Sequence, residues 1–475
     1  MIRIPGLPPR FAAWRILHDV RHGVPFDVAL KRAVRDLEPE DRRLAHELAA
    51  GVFRNRTALD RTLGSAIERG IDSVRADALD VLRLGAFQLT MLDRVPPHAA
   101  VQTTVGVARR LGGRRIAGFI NAVLRRLAAD LPDRAAEGAE PNAGGGSPET
   151  DGRGSAAAGG TSSGARAVGP GVGSAATDPG AASRLAERYS HPEWLVARWV
   201  ARYGAAEAEG LLVWNNTRPR LVLQPARWKR EDLERALAAA GVGFEPAPFD
   251  AGLVVSVRKP ADLPGFREGG FLVQDPAQRL VTRFFAPKAA SLIYDACSAP
   301  GGKAVALAPR ARLLVAADRT RARVRKLADT VDRAGCDRIH PIVADATRPP
   351  VRQVDAVVLD VPCLGTGTFA RNPDARWRVT PEALARLAAQ AADFLAVAAD
   401  LVTPGGLLLF ATCSLEAEEN EAQIERFLSG DSRFRREPPA NVPAELLTPA
   451  GDLSLLPQST GTDGAYAARL RKASE

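Results

Sequence analysis

Between residues 136 and 182 the chain is built mostly of Gly, Ala, Ser, Thr and Pro, and Val168 and Val172 are its only large apolar side chains. A stretch with so little to bury cannot offset the entropy of ordering it. One continuous core is therefore excluded. The chain is expected to fold as separate domains on either side of a flexible linker, whose span as a Gly-rich coil is roughly 40 Å. With 475 residues, 46% of them hydrophobic, each flank can bury a core of its own.

The N-terminal flank, 8–135, reads as helices throughout. Phe26, Leu30 and Val34 recur at four-residue spacing, as do Leu44, Leu48 and Val52, then Leu59, Leu63 and Ile67. In its last helix Ile116, Phe119, Ile120, Val123, Leu124 and Leu127 form one apolar stripe. Arg114 and Arg125 fall opposite it, with Arg115 and Arg126 nearer its margins. Such a helix packs inward while presenting guanidinium groups to phosphates. Residues 1–135 hold 23 Lys and Arg against 15 Asp and Glu, a surplus of 8 within the net charge of +9. That excess suits a polyanionic partner, although an arginine-rich solvated surface accounts for it equally well.

Residues 183–277 mix a helical HPEWLVARWVARYG with a strand RLVLQ, a helix REDLERALAAAG and short strands LVVSV and FLVQD. A small α+β module is expected. From Gln278 onward strands SLIYDA, RLLVAAD, HPIVAD, DAVVLD and GLLLFATC alternate with turns or helical runs. That alternation implies a Rossmann-like α/β domain over 278–475, a parallel sheet with helices on both faces. Thr380-Pro381-Glu382 marks a helix start, with Leu384, Leu387 and Ala391 on the buried side. GAYAARLRK is expected to join the sheet as its last strand.

Chemistry gathers at the strand ends of this last domain. In DACSAPGGK, Gly301 and Gly302 let backbone approach a ligand closely at the carboxyl end of a strand, where nucleotide-like cofactors bind. It is not a phosphate loop, because Ala304 follows Lys303 and the first glycine is missing. Asp318 ends RLLVAAD, where a carboxylate can hold a ribose hydroxyl pair, and Asp345 ends HPIVAD, beside the adenine by the same logic; either can also be a solvated strand-end acid. Asp360 and Cys363 close DAVVLDVPC. An acid at the mouth of an apolar strand is hard to explain by packing. Cys413 ends GLLLFATC, and a helix N-terminus after it would lower its pKa. Each cysteine can be a small buried hydrophobe instead. Two thiols beside one cofactor pocket suit chemistry that needs a temporary carbon–sulfur bond.

DACSAPGGK, LDVPCLGTG with RNPDARW after it, and GLLLFATCSLEAEEN together resemble the bacterial Fmu/Sun-type RNA (cytosine-carbon-5) methyltransferases that use S-adenosylmethionine. LRLGAFQLTMLDRVPPHAAV and GFINAVLRRL resemble the NusB-type RNA-binding domain carried by the 16S ribosomal RNA small-subunit methyltransferase B group. The resemblance covers nearly the whole chain except the linker. It implies that Cys297, Ser298, Ala299, Pro300, Gly301, Gly302, Lys303, Asp318, Asp345 and Asp360 contact the cofactor, with Asp360 also near the cytosine. It further implies that Cys413 attacks ring carbon 6 and that Cys363 helps remove the proton from carbon 5. Local sequence alone would have favoured Cys363 as nucleophile, since a Pro-Cys cysteine has that role in DNA cytosine methyltransferases. Ser298 and Leu364 stand where the family usually has Ala and Ser, and neither change removes a reacting group.

The implied partner is 16S ribosomal RNA, naked or in an early assembly intermediate. No CxxC pair or histidine ladder points to a metal, and the scattered histidines support no histidine-based triad. No apolar run approaches the ~20 residues of a membrane span, and the start lacks a signal peptide's apolar core, so a cytoplasmic location is expected. Two rivals remain: an RNA-binding assembly or antitermination factor with an inactive methyltransferase fold, and a cytosine methyltransferase acting on transfer or large-subunit RNA.

Overall fold

The computed structural model describes residues 6–130, 180–257 and 259–474. The expected linker, apart from its last three positions, lies outside the described residues. The described residues form two compact units: one comprises those up to Thr217 together with Asn372–Trp377, the other those of 218–371 and 378–474.

The first unit is helical. Helices α1 (Leu7–Arg21), α2 (Phe26–Ala33), α3 (Pro39–Arg54), α4 (Arg56–Ala66), α5 (Ala76–Met91) and α6 (Pro97–Asp130) enclose one core that includes Ile16, Leu48, Leu59, Leu63, Leu82, Ile120 and Leu124. Burying each such side chain contributes about 1.5–3 kcal/mol. Helix α6 breaks at Gly112 and Gly113, where φ reaches +70° at Gly113, so its two halves point differently. In the second half Ala117, Ile120, Val123, Leu124 and Leu127 are buried, but Phe119 is 40% exposed and does not belong to the inward stripe assigned to it. The helix turns it too far toward the arginine face. Arg114, Arg115 and Arg125 are exposed, whereas Arg126 donates to Glu68 at 2.8 Å and to the Ala66 carbonyl at 3.3 Å.

Helices α7 (Ala181–Tyr189), α8 (Glu193–Tyr203) and α9 (Ala205–Asn216) group with this unit rather than with the strands that follow them. So does Asn372–Trp377, the core of the RNPDARW motif. Arg376 is fully buried and donates to Asn216 Oδ1 at 2.7 Å and to the Asn215 carbonyl at 2.8 Å. Burial pulls its guanidinium down to about 9, with the nearby Arg54 charge adding to the effect. Trp377 Nε1 donates to the Phe53 carbonyl at 2.7 Å, and the Arg56 guanidinium lies 5.0 Å from its ring centre. Arg376 and Trp377 thus spend these donors on groups within the same unit.

The second unit opens with an antiparallel sheet of β1 (Leu221–Pro225), β2 (Phe244–Pro246), β3 (Leu253–Val255) and β4 (Phe271–Val273), ordered β2-β3-β1-β4, with α10 (Arg230–Ala239) placing Leu233 and Leu237 in its core. Next come α11 (Pro276–Phe285), β5 (Ser291–Asp295), α12 (Gly302–Leu307), β6 (Ala311–Asp318), α13 (Arg321–Ala334), β7 (Ile339–Val343), β8 (Val354–Asp360), α14 (Pro381–Leu401), β9 (Val402–Thr412), α15 (Glu421–Gly430), β10 (Phe434–Arg436), β11 (Leu453–Leu455) and β12 (Ala465–Lys472). The large sheet runs β10-β12-β9-β8-β5-β6-β7, with β11 also on β12. Strands β5 to β9 pair in parallel, and β12 lies antiparallel to β9.

Successive strand residues face opposite cores, as the two-residue period demands. Leu407 and Leu409 join Leu280, Phe284, Leu327 and Val331 on one face, while Leu408 and Phe410 join Phe394, Leu395 and Ile424 on the other. Helix α14 starts as its sequence requires: Thr380 Oγ1 accepts from the Ala383 amide at 3.2 Å, and Leu384 and Ala391 are buried. No helix among the described residues is long and apolar enough to cross a membrane.

Candidate active site

The strand order reverses between β5 and β8, which are direct neighbours, and their carboxyl ends open the crevice where α/β sheets bind ligands. Asp295 ends β5 and Asp360 ends β8. Between them Lys303 Nζ donates to Asp360 Oδ2 at 2.7 Å and also to Gln278 Oε1. Burial alone would pull the Lys303 ammonium down, but the Asp360 carboxylate outweighs it and its pKa is raised.

The turn after β5 needs its glycines. Gly301 has φ +103°, and a Cβ there would lie 2.7 Å from Leu327 Cδ1; at Gly302 a Cβ would lie 2.5 Å from Gln274 Nε2. Below the turn, Asp295 is 1% exposed, and burial pushes its carboxyl up to about 7. The Ser298 hydroxyl is close enough to offset this only in part, and neither it nor the Asp295 oxygens meets a partner in hydrogen-bond geometry. Buried polar groups left this way are ready for a polar ligand. The Cys297 thiol is pushed up by burial and then by the Asp295, Asp360 and Asp318 carboxylates, which favours its protonated form.

Asp318, at the end of β6, accepts from Arg323 Nε at 2.7 Å and from the Ala299 amide at 3.2 Å, which ties α13 and the glycine turn to the strand end. Asp345 lies just beyond β7. The Thr347 amide at 2.9 Å and its hydroxyl at 2.8 Å hold that carboxyl below the ordinary range. Among the described residues no cluster of His, Cys, Asp or Glu is placed to hold a metal ion.

The two thiols meet where β8 and β9 end side by side. Cys363 Sγ lies 3.3 Å from Cys413 Sγ, and the Cys413 amide donates to Cys363 Sγ at 3.3 Å. Both are free and half-buried. The hydrogen bond to Cys413, then burial, then the charge at Cys413 hold Cys363 well above the ordinary thiol value. The pair thus keeps a proton on Cys363. Gly365, at φ +69°, turns the chain so that its own Cβ position is 3.7 Å from Cys413 Sγ.

A family model described as 16S rRNA methyltransferase RsmB/F matches residues 282–471, the NusB family model matches 8–129, and a ferredoxin-like domain of RsmF/B-like methyltransferases matches 191–262. A probable ribosomal RNA small subunit methyltransferase B of Synechocystis is 34% identical over 98% of this chain and 99% of its own length. The chain belongs to the RsmB/F methyltransferase family. In fold, it is similar to the crystal structure of PH0851 (TM-score 0.78, 21% identity, 99% of this chain and 100% of that one) and to NSun6 from Pyrococcus horikoshii solved with SFG (TM-score 0.54, 18% identity, 60% and 99%).

For a member of this family, the structure brings Lys303, Asp360, Cys363 and Cys413 to adjacent strand ends and sets Ser298, Ala299, Pro300, Gly301, Gly302 and Asp318 around the neighbouring turn. Asp345 stands one strand further out. One expectation fails: no helix begins directly after Cys413. A short turn at Ala417–Glu419 intervenes and α15 starts at Glu421, so the helix end is too distant to act on the thiol.

Sequence reasoning missed Asp295, Gln278 and Glu419. Asp295 stood within a quoted motif and could have been found from its strand-end position, the argument already applied to Asp318. Gln278 carries no local signal. Glu419 lies in the acidic run EAEEN, which reads as a solvated helix start, yet it is 1% exposed and its carboxylate accepts from the Leu364 amide at 3.0 and 3.2 Å. Burial pushes it up to about 7, against the pull of Ser414 and that amide.

Proposed function

We propose that the chain methylates carbon 5 of a cytosine in naked or early-assembly 16S ribosomal RNA in the cytoplasm, through a transient bond between Cys413 Sγ and ring carbon 6. The contact between two free thiols at neighbouring strand ends carries this reading, because a single structural cysteine would need no partner. The glycine turn and the unpartnered Asp295 and Ser298 oxygens fit S-adenosylmethionine, held by Cys297–Lys303, Asp318, Asp345 and Asp360. When bound, that cofactor supplies an electrophilic methyl group.

The chain's residues then divide the work. Cys413 as thiolate adds to carbon 6, and the ring electrons move to carbon 5, which takes the methyl group. The base must be out of its stack for this, which is cheapest in an unpaired segment. Once the Cys413 sulfur is bonded to carbon 6 it is a thioether, at most a weak hydrogen-bond acceptor, and no thiolate stands 3.3 Å from Cys363 to oppose loss of its proton. Cys363 then becomes able to act as base. It takes the proton from carbon 5, the carbon 5–carbon 6 double bond re-forms, and the Cys413 thiolate departs. Asp360, hydrogen-bonded by Lys303, faces the cytosine edge. Arg114, Arg115 and Arg125 offer phosphate contacts, Arg126 only where RNA displaces Glu68.

Bisulfite sequencing of ribosomal RNA from cells with and without the protein tests this. A 16S cytosine protected only when the protein is present supports the reading. Protection confined to transfer or large-subunit RNA, or no difference at all, overturns it.

A further inference from the structure

Glu419 and Asn420 are consecutive, buried and polar, and between them they grip both thiol-bearing turns. Glu419 accepts from the Leu364 amide, the group directly after Cys363. Asn420, 3% exposed, accepts from Thr412 Oγ1 at 2.5 Å and donates from Nδ2 to the Ser414 carbonyl at 2.9 Å, so it holds the residues on either side of Cys413. Thr366 closes the frame by accepting from the Leu415 amide at 2.8 Å, and the Gly367 amide donates to the Cys413 carbonyl at 3.0 Å. An apolar side chain would fill the Glu419 site without the cost of burying an acid. A buried carboxyl that accepts from the Leu364 amide, with the Ser414 hydroxyl also acting on it, sits between the two thiol turns and points to placement of Cys363.

We propose that Glu419 is a positioning residue for the release step: through the Leu364 amide it fixes Cys363 against the Cys413 turn held by Asn420, so that Cys363 can reach the carbon-5 proton of the adduct. The proposal rests on the two-thiol reading above. It separates the steps, because the Cys413 turn keeps its hydrogen bonds to Asn420, Thr366 and the Gly367 amide when Glu419 is lost, even though the Ser414 hydroxyl also acts on that carboxyl. Loss of Glu419 therefore loosens Cys363 and spares the attack.

The test uses the full-length protein, in-vitro-transcribed 16S RNA and methyl-labelled S-adenosylmethionine. It measures the first-turnover burst of methyl transfer, the steady-state rate and the amount of denaturant-resistant protein–RNA adduct. Glu419→Ala is expected to keep the burst within a few-fold, to lose steady-state rate by about tenfold to a hundredfold, as a displacement of about an ångström at a reacting group does, and to accumulate adduct. Glu419→Gln retains an oxygen that accepts from the Leu364 amide and is expected to restore turnover without adduct. Should Glu419→Ala fail to fold, Glu419→Asp draws the acceptor back by one methylene and carries the same readouts. Equal loss of burst and steady state, or unchanged turnover, overturns the proposal. Cys363→Ala run in parallel separates the two levels: if it accumulates adduct and the Glu419 variants do not, only the positioning role falls. If Cys363→Ala releases product normally, the two-thiol reading falls and takes the proposal with it.

Discussion

A buried acid kept for its hydrogen bond should tax stability as the pH rises, and Glu419→Gln measures by how much. In the folded chain the Glu419 carboxyl is moved from its ordinary 4.5 to about 7, first by burial and further by the Glu416 and Glu418 charges. Between those values the folded state holds a proton that the unfolded chain has lost. The stability associated with the neutral form is therefore fully present below about 4.5 and is lost as the pH climbs through 7. At about 1.4 kcal/mol for each unit of pKa, ionising the buried group costs about 3 kcal/mol by pH 8. The amide variant keeps the shape and one acceptor oxygen but cannot ionise. It is expected to be more stable than the parent by about 2–3 kcal/mol at pH 8, shrinking below about 1 kcal/mol at pH 5. Thermal unfolding at both pH values reads the difference, since 1 kcal/mol moves the midpoint by about 2–4 °C in a domain of 150–250 residues. Asp295 and Asp463 are also raised to about 7 by burial and tilt parent and variant alike, so only the difference between them is diagnostic. A gain of equal size at pH 5 and pH 8, or a loss at both, would refute the assignment of a strained buried charge.

Cys413→Ala is expected to abolish methyl transfer and adduct together, whereas Cys363→Ala slows turnover and traps adduct; full activity of the first variant in a labelled-methyl assay would reject the assignment. Gly301→Ala forces a side chain into the left-handed region and against Leu327, and should cost about 1–3 kcal/mol and weaken S-adenosylmethionine binding, read by calorimetry. Charge reversal at Arg114 and Arg115 should lower the slope of log affinity against log salt for single-stranded RNA by about 1.4, at about 0.7 per phosphate contact; an unchanged slope places the contacts elsewhere. Phe284→Ala, at a fully buried position beneath the sheet, should destabilise by about 3–5 kcal/mol in denaturant titration, and a cost under about 1 kcal/mol would contradict the packing described.

Much of this fold is legible because it repeats. Strands such as GLLLFATC are apolar on both faces, so position alone decides whether Leu408 or Leu409 meets one core or the other. Thr380-Pro381-Glu382 marks its helix start by capping chemistry that needs no tertiary contact. Phe119 failed because periodicity assigns it by angle, and an angle cannot tell the edge of an apolar stripe from the start of the exposed face. RNPDARW read as part of a catalytic signature, yet Arg376 and Trp377 spend their polar groups on backbone carbonyls far away in sequence, contacts that no local pattern encodes.

The candidate site divides along the same line. Cys363, Cys413, Asp360 and the glycine turn could be singled out in the sequence because each follows or ends a strand-like run. Their pairing could not, since the proximity of Cys363 to Cys413 depends on β8 and β9 being neighbours. Glu419 was hidden for a stronger reason. In EAEEN every acid looks equally solvated, and only the fold of the turn after Cys413 decides that Glu416 and Glu419 are drawn inward and that Glu419 meets the Leu364 amide. A thiol's position can be read from its own strand, but the charge it carries is set by what the chain returns to place beside it. The electrostatics that would separate attack from release in the proposed cycle are therefore a property of the assembled turns and not of any one motif.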